Sequence, residues 1–220
     1  MPQTLTLYTH PFSRGRIARW MLEETGLPYE AKLLDYGTTM KASAYTALNP
    51  MGKVPAVQQG ETVVTETAPI CAWLAELTPE KNLAPAPGSA ERGTYYRWLF
   101  FAAGPLEAAI TARSMGLLAP EDKRISAGYG SFDDVMATLE FACKQALARG
   151  GFLCGHFTAA DLYLASHLNF GMQFKTIESR QVFTDYVTPA LQRPAFVRAG
   201  QLDDALAEQV KAAAAQDTQG

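Results

Sequence analysis

A chain of 220 residues is long enough for one large domain or two small domains with a real hydrophobic core. Its composition, with 48% hydrophobic and 19% charged residues, is ordinary for a globular protein. The formal net charge of −3 provides no strong positive field, which argues against a nucleic acid or an anionic membrane surface as a partner.

The N-terminal residues and the cysteines indicate the cellular compartment of the protein. The first ten residues are neither basic enough nor apolar enough for a signal peptide, and no segment has the length and apolarity to span a bilayer. Cys71, Cys143 and Cys154 are scattered and form no CxxC pair. This pattern favours a reducing compartment and argues against a disulfide scaffold or a zinc site. We therefore expect a cytoplasmic protein without a metal.

The first quarter of the chain alternates between strand and helix patterns. Residues 5–8 alternate in hydrophobicity and predict a first strand. Apolar residues at helical spacing predict a helix over 13–25, which Gly26 ends. A second strand is predicted over 29–34, and its connection to the first through that helix predicts parallel pairing. A short helix is predicted over 40–48.

A hairpin that leads into a helix follows. Strands are predicted over 54–57 and 62–65, and a helix over 68–77, which completes the β-α-β-α-β-β-α order of a thioredoxin-like domain. Pro55 lacks an N–H group for a strand ladder, so it belongs at an edge or at a strand start. The Val54–Pro55 bond is a candidate for the cis isomer. The backbone of Val54 would then be free to pair with an extended peptide.

Strand patterns stop after a segment rich in proline. This segment predicts a linker, and the patterns beyond it predict helices over 91–111, with a kink at Gly104–Pro105, and over 132–148. Thr158 and Asp161 form a capping pair that predicts the start of a further, buried helix. The last helices are predicted over about 181–192 and 195–206. We predict a thioredoxin-like domain over 1–80, a linker over 81–89, an all-helical domain over 90–207 and a frayed tail over 208–220.

Four segments resemble the cytosolic glutathione S-transferases. They are LYTHPFSRGRIARWMLEETGLPYE, NPMGKVPAV, TETAPICAWL and FTAADLYLASHL, and they occur in the family's order between about residues 4 and 205. The resemblance implies a thioredoxin-like glutathione-binding domain, an all-helical domain and a homodimer. It further implies a bacterial member of the family that has serine or threonine, rather than cysteine, in its active site.

The resemblance also implies a binding site for glutathione. Val54 would pair through its backbone with the cysteinyl part, at the family's Val–cis-Pro, although Pro55 could instead be a plain turn or edge proline. Glu66 and Thr67 would hold the γ-glutamyl end, where a helix N-terminus offers N–H groups and a positive dipole to a carboxylate; Thr67 could also be a simple helix cap. Lys53 would reach the glycyl carboxylate or be a surface lysine. The implied binding residues are Phe12, Lys53, Val54, Pro55, Glu66 and Thr67.

The group that activates the thiol has two candidates. In the family a side chain just after the first strand stabilises the thiolate, which lowers the thiol pKa from its usual ~8.5. Counting back five positions from Arg14, as in many relatives, selects Thr9. Placing the hydroxyl at the start of the helix selects Ser13, where the helix dipole would help to hold a thiolate. We favour Ser13 slightly over Thr9.

The expected activity is conjugation of the glutathione thiolate to a small, electrophilic, apolar substrate, as in detoxification. Glutathione is then a co-substrate, and no metal takes part. One alternative is other glutathione-dependent chemistry on the same fold, such as isomerisation, peroxide reduction or dehalogenation, but the lack of a cysteine at the site weakens routes through a mixed disulfide. Another alternative is a non-enzymatic protein that binds glutathione or another ligand.

Overall fold

The computed structural model describes residues 4–217. Within it, the residues up to Lys81 and those from Arg193 onward form one compact unit, and Asn82–Gln192 form the other. The first unit contains the predicted thioredoxin-like segment, and the second is helical. Residues 193–207, which the sequence assigned to the helical domain, group with the first unit, because the last helix packs on the first one. The linker over 81–89 stays a prediction.

The strands and helices follow the predicted order. In chain order they are β1 (Leu5–Thr9), α1 (Gly15–Thr25), β2 (Tyr29–Leu33), α2 (Ser43–Thr46), β3 (Ala56–Gln59), β4 (Thr62–Thr65), α3 (Thr67–Leu77), α4 (Ala90–Phe101), α5 (Glu107–Ser114), α6 (Phe132–Leu147), α7 (Ala159–Gln173), α8 (Gln181–Leu191) and α9 (Pro194–Asp217). Short 3₁₀ turns lie at Thr39–Lys41, Pro79–Lys81 and Glu121–Lys123.

Several boundaries differ from the prediction; α1, for example, starts at Gly15 rather than at residue 13. Only one helical turn, α2, forms within 40–48, after a 3₁₀ turn. Strand β3 starts at Ala56 rather than residue 54, since Pro55 cannot donate to the ladder. The tail predicted to be frayed from 208 continues as α9 to Asp217, and its last three residues lie outside the described chain.

The sheet of the first unit has the order β2-β1-β3-β4. β1 runs parallel to β2, with Leu5 opposite Tyr29, which confirms the predicted βαβ unit. β1 pairs antiparallel with β3, and β3 pairs antiparallel with β4. α1 and α3 pack on this sheet, and Gly26 ends α1 in the left-handed conformation at φ 70°, as its position predicts.

The last helix belongs to the first unit. α9 packs along α1, where the rings of Trp20 and Phe196 meet edge to face at 4.9 Å between centroids. Two ion pairs strengthen this contact. Arg193, directly before α9, donates to Glu24 at 2.6 Å, and Arg198 on α9 donates to Glu23 at 3.0 Å. Residues from the two ends of the chain thus form one core.

The second unit is built around α7. This helix is buried along most of its length, from Ala159 to Leu168, and packs against α4 and α8, which confirms the buried helix predicted from the sequence. The kink predicted at Gly104–Pro105 takes the form of a π-helical segment, Ala102–Leu106, between α4 and α5. Among residues 4–217 no helix has both the length and the apolarity to cross a membrane.

Candidate active site

Three segments meet at one end of the sheet in the first unit. Tyr8, one residue before β1 ends, lies opposite Ala56 at the start of β3. Ala56 in turn lies opposite Thr65, the last residue of β4. The loop after β1, the segment before β3 and the N-terminus of α3 therefore lie at this end of the sheet. The eight residues proposed for the site all belong to these segments.

The segment before β3 presents an unpaired backbone. The Val54–Pro55 peptide bond is cis, as the sequence predicts. Pro55 is buried and Val54 is half-buried. Within residues 4–217 the N–H and C=O groups of Val54 form no hydrogen bond with the protein. They are available to an extended ligand, as strand addition requires.

Two buried side chains hold the backbone directly before Val54. The hydroxyl of Tyr45 donates to the carbonyl oxygen of Lys53 at 2.6 Å, and Asn49 Nδ2 donates to the same oxygen at 2.8 Å. Asn49 Oδ1 also accepts from the Met51 N–H at 3.1 Å. The sequence shows Asn49 only as a turn-former, and nothing in it links Tyr45 to the site. Both residues hold the backbone directly before Val54.

Gly52 closes the same turn. Its N–H donates to the Asn49 carbonyl at 2.8 Å. Its φ is +55°, and a Cβ at this position would lie 2.7 Å from the Met40 carbonyl oxygen. Only glycine fits both the backbone conformation and the close approach. The NPMG pattern therefore sets the path of the chain into the site.

The start of α3 forms the second side of the site. Glu66 has φ 64° and ψ 132°, an unusual conformation for a residue other than glycine. Such conformations cluster at functional sites. Its side chain is exposed and has no partner among the described residues. Its carbonyl accepts from the Ile70 N–H at 3.0 Å. The N–H groups of Thr67 and Ala68 lack intrahelical acceptors, as in any first helical turn.

Ser13 lies at the N-terminal end of α1. Its hydroxyl donates to the His10 carbonyl at 2.7 Å, and its oxygen accepts from the Gly15 N–H at 2.9 Å. The residue is half-buried, so one side of the hydroxyl faces outward. Ser13 therefore places an O–H group where the partial positive charge of the helix end is strongest.

Thr9 occupies a different environment. It is fully buried at the end of β1, and its Oγ1 has no hydrogen-bond partner among the described residues. This oxygen faces Gly15 so closely that a Cβ there would collide with it. The hydroxyl of Thr9 thus points into the contact between β1 and α1.

Aromatic side chains surround the loop that carries Ser13. His10 is 4% exposed, and its ring lies 4.4 Å from that of Tyr36 and 5.6 Å from that of Phe12. His10 Nδ1 accepts from the Phe12 N–H at 3.3 Å. Burial lowers the pKa of His10, and Asp35 opposes this in part. The imidazole is therefore neutral at physiological pH and acts as a hydrogen-bond acceptor within the loop.

Tyr36 joins the same cluster from the loop after β2. Its hydroxyl donates to the Phe12 carbonyl at 3.1 Å. Burial raises the pKa of Tyr36, while a hydrogen bond with Ser13 opposes that rise. Tyr36 lies in the sequence between the second predicted strand and the helix predicted over 40–48, and no local pattern identifies its contact with Phe12, 24 positions away.

Two predicted binding residues extend into solvent. Lys53 is exposed, and its ammonium group has no ion-pair partner in the described chain. Phe12 is 54% exposed, beside the ring of His10. A free cation directly before Val54 and an exposed aromatic ring on the loop after β1 are thus both open to a ligand.

None of the three cysteines belongs to the segments that meet at this end of the sheet. Burial raises the pKa of the Cys71 thiol far above its ordinary value, and raises the pKa of Cys143 and of Cys154 to about 12. All three are therefore thiols rather than thiolates at neutral pH. Within residues 4–217 no group of three or more His, Cys, Asp or Glu side chains is placed to hold a metal ion.

Comparison with known proteins links this geometry to a family. Residues 11–77 match the model of the glutathione S-transferase N-terminal domain. The chain carries a glutathione S-transferase N-terminal domain. Over 194 residues it is 27% identical to the glutathione S-transferase hmp2 of Hypomyces subiculosus, covering 83% of this chain and 88% of that protein.

Solved glutathione transferases share the fold over about nine tenths of this chain. A glutathione transferase from Methylococcus capsulatus superposes with a TM-score of 0.75 at 28% identity, covering 91% of this chain and 99% of that one. A sphingomonad glutathione S-transferase, described as a complex with glutathione, has a TM-score of 0.70 at 25% identity and covers 90% and 98%. The predicted glutathione S-transferase fold, a thioredoxin-like domain with a helical region, is confirmed. The serine or threonine type of active site and the bacterial origin stay predictions.

Proposed function

We propose that the chain is a glutathione transferase that joins the thiolate of glutathione to a small, electrophilic, apolar substrate. The observation that carries this proposal is the meeting, at one end of the sheet, of three groups that can bind a ligand. These are the backbone of Val54, the N-terminus of α3 beside Glu66, and the hydroxyl of Ser13. Together they offer a strand partner, an anion site and a donor for sulfur.

Each part of the tripeptide has a matching group. The cysteinyl N–H and C=O would pair with the backbone of Val54, beside Pro55 and Phe12. The γ-glutamyl carboxylate would accept from the N–H and hydroxyl of Thr67, while Glu66 would take the ammonium group. Lys53 would meet the glycyl carboxylate. All of these groups lie in the first unit.

Ser13 is the better supported of the two candidates for thiol activation. Its half-exposed O–H would turn from the His10 carbonyl to the sulfur, exchanging one hydrogen bond for another. The helix end would stabilise the same negative charge. The complete burial of Thr9 against Gly15 gives its hydroxyl no route to a ligand. Catalysis would then rest on stabilising and positioning the thiolate.

Titration of bound glutathione tests the role of Ser13. The thiolate absorbance of the complex, followed against pH, gives the pKa of the bound thiol. We expect Ser13→Ala to raise that pKa towards the free value and Thr9→Val to leave it unchanged. An unchanged pKa in Ser13→Ala would remove Ser13 from the role. Thermal unfolding of both variants checks that the loop still folds, since Ser13 also accepts from Gly15.

A shortened ligand tests the orientation of the tripeptide. γ-Glutamylcysteine amide lacks the glycyl carboxylate and has no other C-terminal carboxylate, so Lys53→Met should weaken binding of glutathione but not of the dipeptide amide. Glu66→Gln should weaken both by about tenfold, because both ligands carry the γ-glutamyl ammonium group. Equal effects of Lys53→Met on the two ligands in calorimetry would contradict the proposed orientation.

Turnover separates the enzyme from its alternatives. The purified protein should consume glutathione with an activated aryl chloride and release one chloride for each conjugate. Calorimetric binding of glutathione without turnover on this substrate would favour a binding protein or other glutathione-dependent chemistry. The raised pKa values of the three thiols provide no support for a mixed-disulfide route.

We further propose that the protein is a cytoplasmic homodimer. Tyr96 and Phe100 support an interface on α4, since both are exposed and their rings stack at 5.8 Å between centroids. Aromatic residues of this kind are enriched at interfaces. Light scattering coupled to size exclusion should give twice the chain mass, and Phe100→Asp should give the monomer mass.

A further inference from the structure

A cavity of about 170 Å³ opens between α4 and α6 in the second unit. It is similar in size to the cavity of about 150 Å³ that holds benzene in an engineered protein. None of the eight residues proposed for glutathione chemistry lines it. Its lining combines cationic, polar and aromatic groups, so it offers both charged hydrogen-bond donors and aromatic rings to a small molecule.

Helical spacing brings these groups to one place. Arg97 and Trp98 are adjacent on α4, with Arg97 exposed and Trp98 buried. Phe141, Gln145 and Arg149 follow one another at intervals of four residues, so they share one face of α6 and its C-terminal extension. The two faces line the same cavity.

Both arginines are free to take a ligand. Within residues 4–217 neither Arg97 nor Arg149 forms an ion pair with a carboxylate, and no acidic side chain lines the cavity. The guanidinium of Arg97 lies over the Trp98 ring, 4.5 Å from its centroid. This contact orients Arg97 along the wall without using its hydrogen-bond donors.

The apolar part of the lining is suited to a flat ring. Trp98 is buried and forms the wall below Arg97, while Phe141 is half exposed at the rim. Ala146 is buried on α6 and leaves room that a larger side chain would fill. The carbonyl end of α6 is partly negative, so the charge of an anion has to be met by the arginines rather than by the helix.

We propose that this cavity binds a small aromatic carboxylate or sulfonate. The ring would lie against Trp98 and Phe141, and the acid group would accept from the guanidinium groups of Arg97 and Arg149, with the Gln145 amide as a further donor. This goes beyond the conjugation reaction, because it assigns the helical unit a ligand of its own.

Calorimetry and saturation-transfer NMR with benzoate test the proposal on the full chain. Benzoate should bind saturably, and Arg97→Gln and Arg149→Gln should each weaken it by about tenfold, the usual effect of losing one charged hydrogen bond. Arg124→Gln, which removes an exposed arginine outside the cavity, is the matched control and should bind as the original chain does. Benzamide, which has the same ring without the charge, should bind much more weakly.

Competition identifies the site independently of the enzyme assignment. Glutathione should not displace benzoate, whether or not the chain proves to be a transferase. The proposal is overturned if benzoate shows no saturable binding, if both arginine variants keep full affinity, or if benzamide binds equally well. It is also overturned if glutathione displaces benzoate, because the acid would then occupy the glutathione site. The arginines are exposed, and thermal unfolding confirms that the variants fold.

Discussion

Arg19 and Asp203 form a buried ion pair between α1 and α9. Arg19 Nε donates to Asp203 Oδ1 at 2.8 Å, and the two side chains are only 5% and 1% exposed. The second oxygen, Oδ2, has no partner among the described residues. Burial raises the pKa of Asp203, and the neighbouring guanidinium opposes that rise. The pair therefore fixes α9 on the first unit at a high cost of desolvation.

Breaking this pair from one side should destabilise the protein strongly. Arg19→Met leaves a buried carboxylate without a cation, so we expect the free energy of unfolding in urea to fall by about 3–5 kcal/mol near neutral pH. A carboxyl whose folded pKa lies above its unfolded value favours the native state at low pH and loses this contribution as pH rises. The loss in Arg19→Met should therefore be smaller at acidic pH.

The neighbouring pair on the same helices provides a matched control. Arg16 Nη2 donates to Asp204 Oδ1 at 2.7 Å, but the side chain of Asp204 is 72% exposed. Arg16→Met should cost only about 0–1 kcal/mol, apart from its contact with the Pro11 carbonyl. A double variant, Arg19→Met with Asp203→Leu, should regain much of the stability, because no charge is left buried. A double variant as unstable as Arg19→Met alone would contradict this account.

The contacts of Asn49 and Tyr45 predict an effect on ligand binding without direct contact. Asn49→Asp keeps the acceptor for the Met51 N–H but loses the donor to the Lys53 carbonyl. We expect glutathione affinity to fall by about tenfold in calorimetry, since the backbone of Val54 is no longer held. Tyr45→Phe, which removes the other donor, should have a similar effect.

Thr46 provides the control for this prediction. It is half-buried on α2 beside Tyr45, and its hydroxyl bonds only to carbonyls of its own helical turn and the residue before it. Thr46→Ala should leave glutathione affinity unchanged. Unchanged affinity in Asn49→Asp, with a stable fold, would show that the Lys53 carbonyl does not position the site.

Asp161 predicts a large effect on stability in the second unit. Its carboxylate accepts from the Leu153 N–H at 2.8 Å, the Thr158 N–H at 3.0 Å and the Tyr186 hydroxyl at 2.9 Å. Asp161→Ala would leave these buried donors unpaired, so the free energy of unfolding should fall by about 3–5 kcal/mol. Thr158→Ala, which leaves the acceptor in place, should cost only about 1 kcal/mol.

An exposed capping pair tests whether burial is the cause. Ser131 and Asp134 hydrogen-bond at 2.6 Å at the start of α6, with both residues open to solvent. Asp134→Ala should cost about 1 kcal/mol or less, because water replaces the carboxylate. Similar losses in Asp161→Ala and Asp134→Ala during urea unfolding would show that the buried network contributes no more than an ordinary cap.

Local sequence patterns predicted the strands and helices well, but they did not predict the distant contacts that position these elements. The alternation before Thr9, the cap at Thr158 and Asp161, and the proline at residue 55 each carry their signal within a few residues. The Arg19–Asp203 pair joins residues 184 positions apart, and both members look like ordinary surface charges in the sequence. The grouping of α9 with the first unit depends on such distant pairs. Local sequence patterns do not reveal them, and for this reason the sequence prediction placed this helix in the helical domain.

The features of the candidate site likewise fall into two groups, those that local patterns predict and those that depend on distant contacts. The Val54–Pro55 segment and the start of α3 follow from turn-formers and strand patterns close to them. The choice between Ser13 and Thr9 cannot be made from local sequence patterns. It depends on the packing of β1 against α1, which buries the Thr9 hydroxyl against Gly15. The packing of Tyr36 on His10 likewise requires the βαβ crossover, which brings the loops after β1 and β2 together.

His10 predicts a dependence of stability on pH. Its folded pKa lies below the ordinary value of 6.5 because the ring is buried. A histidine with a lowered pKa contributes stability that is complete above the unfolded value and is lost as pH falls through 6.5 towards the folded pKa. His10→Gln should lack this part of the pH dependence in urea unfolding.

NMR titration of the imidazole should give a midpoint below 6.5. Asp35→Asn should lower that midpoint further, since the Asp35 carboxylate favours the charged ring. A midpoint that is at or above 6.5, or that rises in Asp35→Asn, would show that His10 is not the neutral acceptor for the Phe12 N–H.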